Sequence, residues 1–185
     1  MEPHELQDKA TEIQSLLPKL ESSQLVLTHW RLDSATKARP KQLPPSDDWL
    51  HWLFMAGRGA GKTWSGANWI GLQAAMNPGY RCAVVAATQA DVRRTCFEGE
   101  SGLLNLIPLE LLSGGKADKG YNKSQLEITF ENGSVIQGFS AEKPDRLRGP
   151  QFHAAWCDEL AAWQTMTQTG SSNNQREAWD MLHFG

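Results

Sequence analysis

Apolar positions change their rhythm twice along the chain. Leu6, Ile13, Leu16, Leu17 and Leu20 recur at roughly helical spacing, and Leu25, Leu27 and Trp30 follow after a break. This predicts helix over residues 4–35. The stretch ARPKQLPPSDDW, residues 38–49, with its three prolines and paired aspartates, predicts an irregular connector. A boundary there gives an N-terminal helical appendage, residues 1–37, and a main domain, residues 38–185. From Trp49 the runs shorten. WLHWLFMAG reads as a buried strand and GKTWSGANWIGLQAAM as a helix with small residues toward a sheet. RCAVVAAT, residues 81–88, is apolar without alternation, the pattern of a parallel strand covered on both faces. Strand, helix, strand in that order predicts a βαβ unit in an α/β fold with a mainly parallel central sheet.

Further on, DVRRTCFEGESGLLNLI reads as helix, with Asp91 near its start. In QLEITFENGSVIQGFS the residues Leu126, Ile128 and Phe130 alternate, and Asn132-Gly133 predicts a hairpin closed by a type I′ turn. AEKPDRLRGPQ is a charged loop, and FHAAWCDEL a short apolar strand ending in two carboxylates. QTMTQTGSSNNQ is polar, REAWDMLHFG begins a last helix, and no internal repeat is visible.

The 185 residues suffice for one domain with a real core. A net charge of −3 gives no global basic footprint, so nucleic-acid contact would need a local patch. Cys82, Cys96 and Cys157 have no metal-type spacing and read as reduced, mostly buried thiols in a cytosolic setting. The polar, acidic N-terminus does not resemble a signal peptide. No apolar run approaches the ~20 residues of a membrane helix, so no membrane partner is expected.

The sharpest chemical signal is FMAGRGAGKTW, residues 54–64. Glycines before a helix let backbone N–H groups turn around a phosphate with no Cβ in the way, and the helix N-terminus adds partial positive charge. In such a loop Gly57, Gly59, Ala60 and Gly61 form the cradle. Lys62 reaches the β- and γ-phosphates, and the Thr63 hydroxyl binds Mg²⁺. The first glycine of the usual G-x-x-x-x-G-K-[ST] pattern is replaced by Ala56. The plain alternative is a glycine-rich turn with a solvated lysine. A second signal is AAWCDE, where Asp158 can hold the metal's water shell and Glu159 can orient or deprotonate an attacking water. Its plain alternative is a helix N-terminus with favourable acids. Arg58 lies inside the cradle, and Arg148 in a shaped loop upstream of the last strand. Surface charge is the plain reading of both.

WLHWLFMAGRGAGKTWSGANWI, DVRRTCFEGESGLL, DRLRGPQFHAAWCDELAAW and EAWDMLHFG occur in this order. Together they resemble the ATPase half of the large terminase subunit of tailed double-stranded DNA phages, over about residues 38–185. The resemblance implies a P-loop NTPase of the additional-strand (ASCE) type. It implies ATP and Mg²⁺ as cofactors and a motor that packages double-stranded DNA. The implied partners are DNA, the portal protein, the small terminase subunit and further copies of the chain in a ring. The implied place is the host cytoplasm and, transiently, the procapsid portal vertex. By the same resemblance Lys62 and Thr63 bind ATP·Mg²⁺, and Arg58 matches an arginine of the terminase phosphate loop. Asp158 matches the metal-side carboxylate and Glu159 the catalytic glutamate. Arg148 resembles an arginine proposed to act on the neighbouring subunit's ATP, and Gln42 stands where the family has an adenine-contacting glutamine.

Three departures qualify the resemblance: Ala56, the long polar stretch after Trp163, and an end at Gly185 before the usual coupling segment and nuclease. The last of these implies either an excised ATPase fragment or a truncated prophage-type gene product. After Glu159 only Glu177 and Asp180 are carboxylates, too few for a two-metal nuclease site. Two other readings stay open. A small P-loop nucleotide kinase would use the same cradle but needs an arginine-rich lid, and only Arg176 follows Asp158. A non-catalytic remnant would bind nucleotide without turnover.

Overall fold

The computed structural model describes residues 22–163 and 178–182. Its five strands are β1 (Arg81–Ala86), β2 (Tyr121–Asn122), β3 (Glu127–Thr129), β4 (Val135–Ser140) and β5 (Ala154–Cys157). They form one sheet in the order β2-β3-β4-β1-β5. β1 lies between β4 and β5 and parallel to both, whereas β3 is antiparallel to β4 and to β2. The sheet is therefore mixed rather than mainly parallel. The short strands β2 and β3 return on β4 through tight turns, and tight returns give antiparallel pairs.

β1 reads as expected. Cys82, Val84 and Ala86 enter one core with Ile70, Ala74, Phe97, Ile136 and Trp156, while Ala83 and Val85 enter the other with Phe139, Leu147 and Trp163. Both faces of the strand are covered, which explains an apolar run without alternation. Helix α1 (Ser22–Lys37) and helix α2 (Lys62–Met76) lie on the first face. Trp30 of α1 shares the core of α2, and Ser34 Oγ donates to Asn68 Oδ1 at 2.9 Å. The predicted helix of residues 4–35 is observed from Ser22, and its earlier part lies outside the described residues. Residues 38–49 are irregular except for a 3-10 turn, Pro40–Gln42.

Three expectations are corrected. Trp49–Gly57 is not a buried strand: no strand is assigned there, and Leu50, Leu53 and Met55 are 82%, 72% and 80% exposed. Its aromatic rings pack on one another and on α2 instead, with Trp49 against Trp69 at 5.6 Å and Trp52 stacked on Phe54 at 5.9 Å. Apolar content alone makes a strand only where a ladder accepts it, and β5 has no second strand beside it among the described residues. The βαβ unit accordingly lacks its first strand.

The hairpin forms, but not on a type I′ turn. Phe130 N–H donates to the Ser134 carbonyl, and of the loop residues between them only Gly133 has positive φ (81°). Asn132 is held otherwise: its Nδ2 donates to the carbonyls of Ala74 and Ala75 at the end of α2, and its Oδ1 accepts from Ser134 N–H. This fits a three-residue loop with glycine in the left-handed position. The stretch from Asp91 is likewise broken. A single turn at Gln89–Asp91 runs into a π-helical turn, Val92–Phe97, and helix resumes only at Leu103–Leu106. The QTMTQTGSSNNQ stretch lies outside the described residues, and of the last predicted helix residues 178–182 are helical.

Helix α2 crosses β5 at very short range. A Cβ added to Gly66 would collide with the Trp156 indole, so only glycine permits this approach. Gly66→Ala should therefore destabilise the fold by roughly 1–3 kcal/mol, the usual cost of overpacking. Chemical denaturation should show a lower midpoint with an unchanged slope.

Candidate functional site

Ligand sites in open α/β sheets lie beyond the carboxyl ends of the strands. Here that edge gathers the end of β5, the start of α2 and the loop before it. Gly61 is the N-cap of α2 with φ 80°, ψ 30°, and Gly59 has φ 71°. Both left-handed angles strain any other L-residue, so these two glycines are required by the loop's path. Ala56 is not among the positive-φ residues, so its methyl costs nothing where a glycine usually stands. Thr63 lies in the first turn of α2 and is half-buried, and Gly57 and Arg58 are exposed.

Lys62 folds back over its own loop. Its Nζ donates to the Ala56 carbonyl at 3.0 Å and the Gly57 carbonyl at 3.4 Å, and lies 3.7 Å from Glu159 Oε1. The glycine-rich loop and the acidic pair, far apart in sequence, thus meet at one ammonium.

The acidic pair is built for two different environments. Asp158 follows the last residue of β5, its N–H donating to the Val85 carbonyl, and it is only 8% exposed. Burial first, and the neighbouring Glu159 charge second, push its carboxyl up to about 6, against the pull of Lys62. Cys96, on the π-helical turn, offers it a long thiol contact, Sγ to Oδ2 at 3.9 Å. Burial and the Asp158 charge raise the Cys96 thiol far above its usual range, so it stays protonated and can donate. Glu159 is exposed and has φ 46°, a left-handed angle that costs a non-glycine residue roughly 1–2 kcal/mol. The turn is pinned around it by Trp163 Nε1 donating to the Asp158 carbonyl at 3.1 Å and Ala162 N–H donating to the Glu159 carbonyl at 2.7 Å.

Gln42 is close to the loop. Its Oε1 accepts from Arg39, and its Nε2 donates to the Ala60 carbonyl at 3.1 Å. It also lines a groove of about 470 Å³ between α1 and α2, with Leu43, Trp64, Asn68 and Trp69. Arg148 is different. It follows the 3-10 turn Pro144–Leu147, is exposed, and has Asp145 Oδ1 3.7 Å from its Nε. Cys96 and Arg39 were not legible as site residues, because each reaches the site from another segment and matches no motif; Trp163 lies near the acidic pair in sequence, but nothing in the pattern marks its indole as the clamp of that turn.

Among the described residues no group of three or more His, Cys, Asp or Glu side chains is placed to hold a metal by itself. The donor set nonetheless fits Mg²⁺, which takes one or two protein oxygens and completes its shell with water and phosphate. Asp158, a buried carboxylate with an unusually high pKa, is the kind of donor a cation would relieve.

A family model described as the terminase large subunit, T4likevirus-type, N-terminal, matches residues 53–172, beginning just before the glycine-rich loop and running past the acidic pair. The chain belongs to the terminase large subunit family. Its place is therefore in viral DNA packaging. The family match spans Arg58, Lys62, Thr63, Arg148, Asp158 and Glu159, and leaves Arg39 and Gln42 outside. No curated protein and no solved structure matches the chain. No helix among the described residues of this terminase chain is long and apolar enough to cross a membrane.

A buried carboxylate weakens the metal-free fold. Its carboxyl titrates near 4 in an unfolded chain and at about 6 here. The penalty is absent below about pH 4, grows as pH rises, and is complete above about pH 6. Asp158→Asn should therefore stabilise the chain in chelator at pH 7.5, by on the order of 1–2 kcal/mol. The gap from the parent should close on acidification to pH 4. Thermal unfolding of both chains across that range checks it.

Proposed function

We propose that the chain is the ATP-hydrolysing motor part of the packaging terminase, a P-loop ATPase of the additional-strand type. The observation that carries this reading is Lys62 Nζ lying 3.7 Å from Glu159 Oε1. A lysine of the glycine-rich loop and a carboxylate able to activate water lie side by side. Gly57, Gly59, Ala60 and Gly61 turn backbone N–H groups toward the β- and γ-phosphates, and Lys62 exchanges its loop carbonyls for phosphate oxygens. Thr63 and Asp158 would hold Mg²⁺, whose role when bound is to neutralise charge developing between the β- and γ-phosphates. Glu159, exposed and next to the buried Asp158, takes the proton of the attacking water. Arg58, exposed on the loop, adds positive charge at the γ-phosphate side. The adenine base is assigned to the side of the loop where Gln42 lies.

This activity would drive double-stranded DNA into procapsids, in the host cytoplasm and at the portal vertex. Its partners would be the portal protein, the small terminase subunit and further copies of the chain. Arg148 is exposed, and among the described residues its ion-pair partner is the neighbouring carboxylate of Asp145, the state expected of a cation offered to an adjacent subunit.

Glu159→Gln keeps the side chain's shape and loses its base. Turnover should fall on the order of 10²–10⁴-fold while ATP binding persists. Equal turnover of variant and parent in a phosphate-release assay would place the base elsewhere. Lys62→Ala should weaken Mg·ATP binding at least tenfold, because a charge-assisted contact worth roughly 1.5–3 kcal/mol is lost.

Mixing tests the action of Arg148 between subunits. An Arg148→Ala chain keeps its own pocket, and a Glu159→Gln chain keeps its arginine. Together under assembling conditions they should recover turnover that neither shows alone. Mixtures that stay inactive while the parent assembles and turns over would place Arg148 in its own subunit's structure.

A further inference from the structure

The connector ahead of the phosphate loop makes contacts that the chemistry above does not use. Arg39 N–H donates to Gln42 Oε1 at 2.9 Å, and Arg39 Nε donates to the same oxygen at 3.2 Å. The two side chains are thus locked together by the 3-10 turn Pro40–Gln42. From that platform two donors converge on one atom, the Ala60 carbonyl oxygen: Arg39 Nη2 at 2.6 Å and Gln42 Nε2 at 3.1 Å. Gly61 lies against the same amide, and a Cβ there would collide with Gln42 Nε2.

The consequence follows from peptide geometry. In a trans peptide the C=O and the next N–H point in opposite directions. With the Ala60 carbonyl drawn to the connector, the Gly61 N–H is fixed on the other side of the loop. An anion nest needs this arrangement, because a carbonyl rotated inward would meet a phosphate oxygen with like partial charge. We propose that Arg39 and Gln42 are positioning residues that hold the Ala60–Gly61 peptide in its phosphate-binding orientation. Gln42 acts here through the loop, since its oxygen and its nitrogen are both engaged. The proposal rests on the loop being a phosphate cradle.

The test separates the clamp from base recognition by using a ligand without a base. Inorganic tripolyphosphate and ATP are titrated calorimetrically into the parent, Arg39→Ala, Gln42→Ala, the double variant and Arg39→Lys. Each single alanine variant should weaken both ligands by the same factor, roughly three- to tenfold for a lost hydrogen bond of this type. The double variant should be little worse than the weaker single one, because the two donors act on one atom. Arg39→Lys, which keeps charge but loses the fork, should recover binding only in part. If Gln42→Ala weakens ATP but not tripolyphosphate, Gln42 reads the base and the clamp is wrong. If Arg39→Ala leaves both ligands unchanged, the clamp is also wrong.

A second readout is independent of ligand. In ¹⁵N-glycine-labelled chain the Gly61 amide resonance should move in Arg39→Ala and in Gln42→Ala, while Gly79 and Gly133, in other turns, stay in place. A moved Gly61 resonance in a parent that binds no polyphosphate would keep the clamp and overturn the phosphate cradle. An unmoved resonance would overturn the clamp alone.

Discussion

The close approach of α2 to β5 is the constraint on which the site depends. Gly66 lies on the Trp156 indole, and any side chain there would lift the helix. The N-terminus of α2 carries Lys62 and Thr63, and the C-terminus of β5 carries Asp158 and Glu159. One packing contact therefore sets the distance between the two chemical halves. The Lys62–Glu159 pair does not set it. Glu159 is well exposed, and an exposed ion pair contributes at most about 1 kcal/mol. The pair reports the geometry that Gly66 and Trp156 impose, and it leaves Lys62 free to exchange partners.

Two features of the acidic turn run against stability. Asp158 is a carboxylate held where its charge is poorly solvated, and Glu159 occupies a backbone angle that other residues avoid. Neither is needed to end a strand. Trp163 and Ala162 hold the turn closed from behind through hydrogen bonds to the Asp158 and Glu159 carbonyls. Strain maintained by surrounding contacts points to use of the strained groups. Here the two carboxylates are separated by environment, one buried and one exposed, which suits one for a cation and the other for a proton.

The sequence was most legible where local chemistry decided the outcome. Gly59 and Gly61 take left-handed angles in a glycine-rich turn that the sequence marks out ahead of α2, and β1 is covered on both faces as its unbroken apolar run requires. It was least legible where the outcome depended on a distant partner. The apolar run Trp49–Gly57 carries strand-like residues, yet it joins no strand ladder among the described residues and turns Leu53 and Met55 to solvent. Asn132-Gly133 marks a hairpin, but the Asn132 amide caps α2 through Ala74 and Ala75, and this selects a different turn. Cys96 reaches Asp158 from a π-helical turn that no periodicity announces.

The run Trp49–Met55, which forms no strand, also bears on how the glycine-rich loop keeps its shape. A strand leading into such a loop would anchor it through ladder hydrogen bonds, and that anchor is absent here. The loop is instead held at three other points. Helix α2 continues from Gly61, with Ser65 N–H donating to the Gly61 carbonyl at 2.9 Å. Lys62 ties the Ala56 and Gly57 carbonyls from within, and Arg39 with Gln42 ties Ala60 from the connector. The connector in turn is continuous with α1, which is fastened to α2 through Trp30 and the Ser34–Asn68 bond. Helix α1 is thereby joined to the glycine-rich loop by two routes, through its packing on α2 and through the Arg39 and Gln42 contacts to the Ala60 carbonyl.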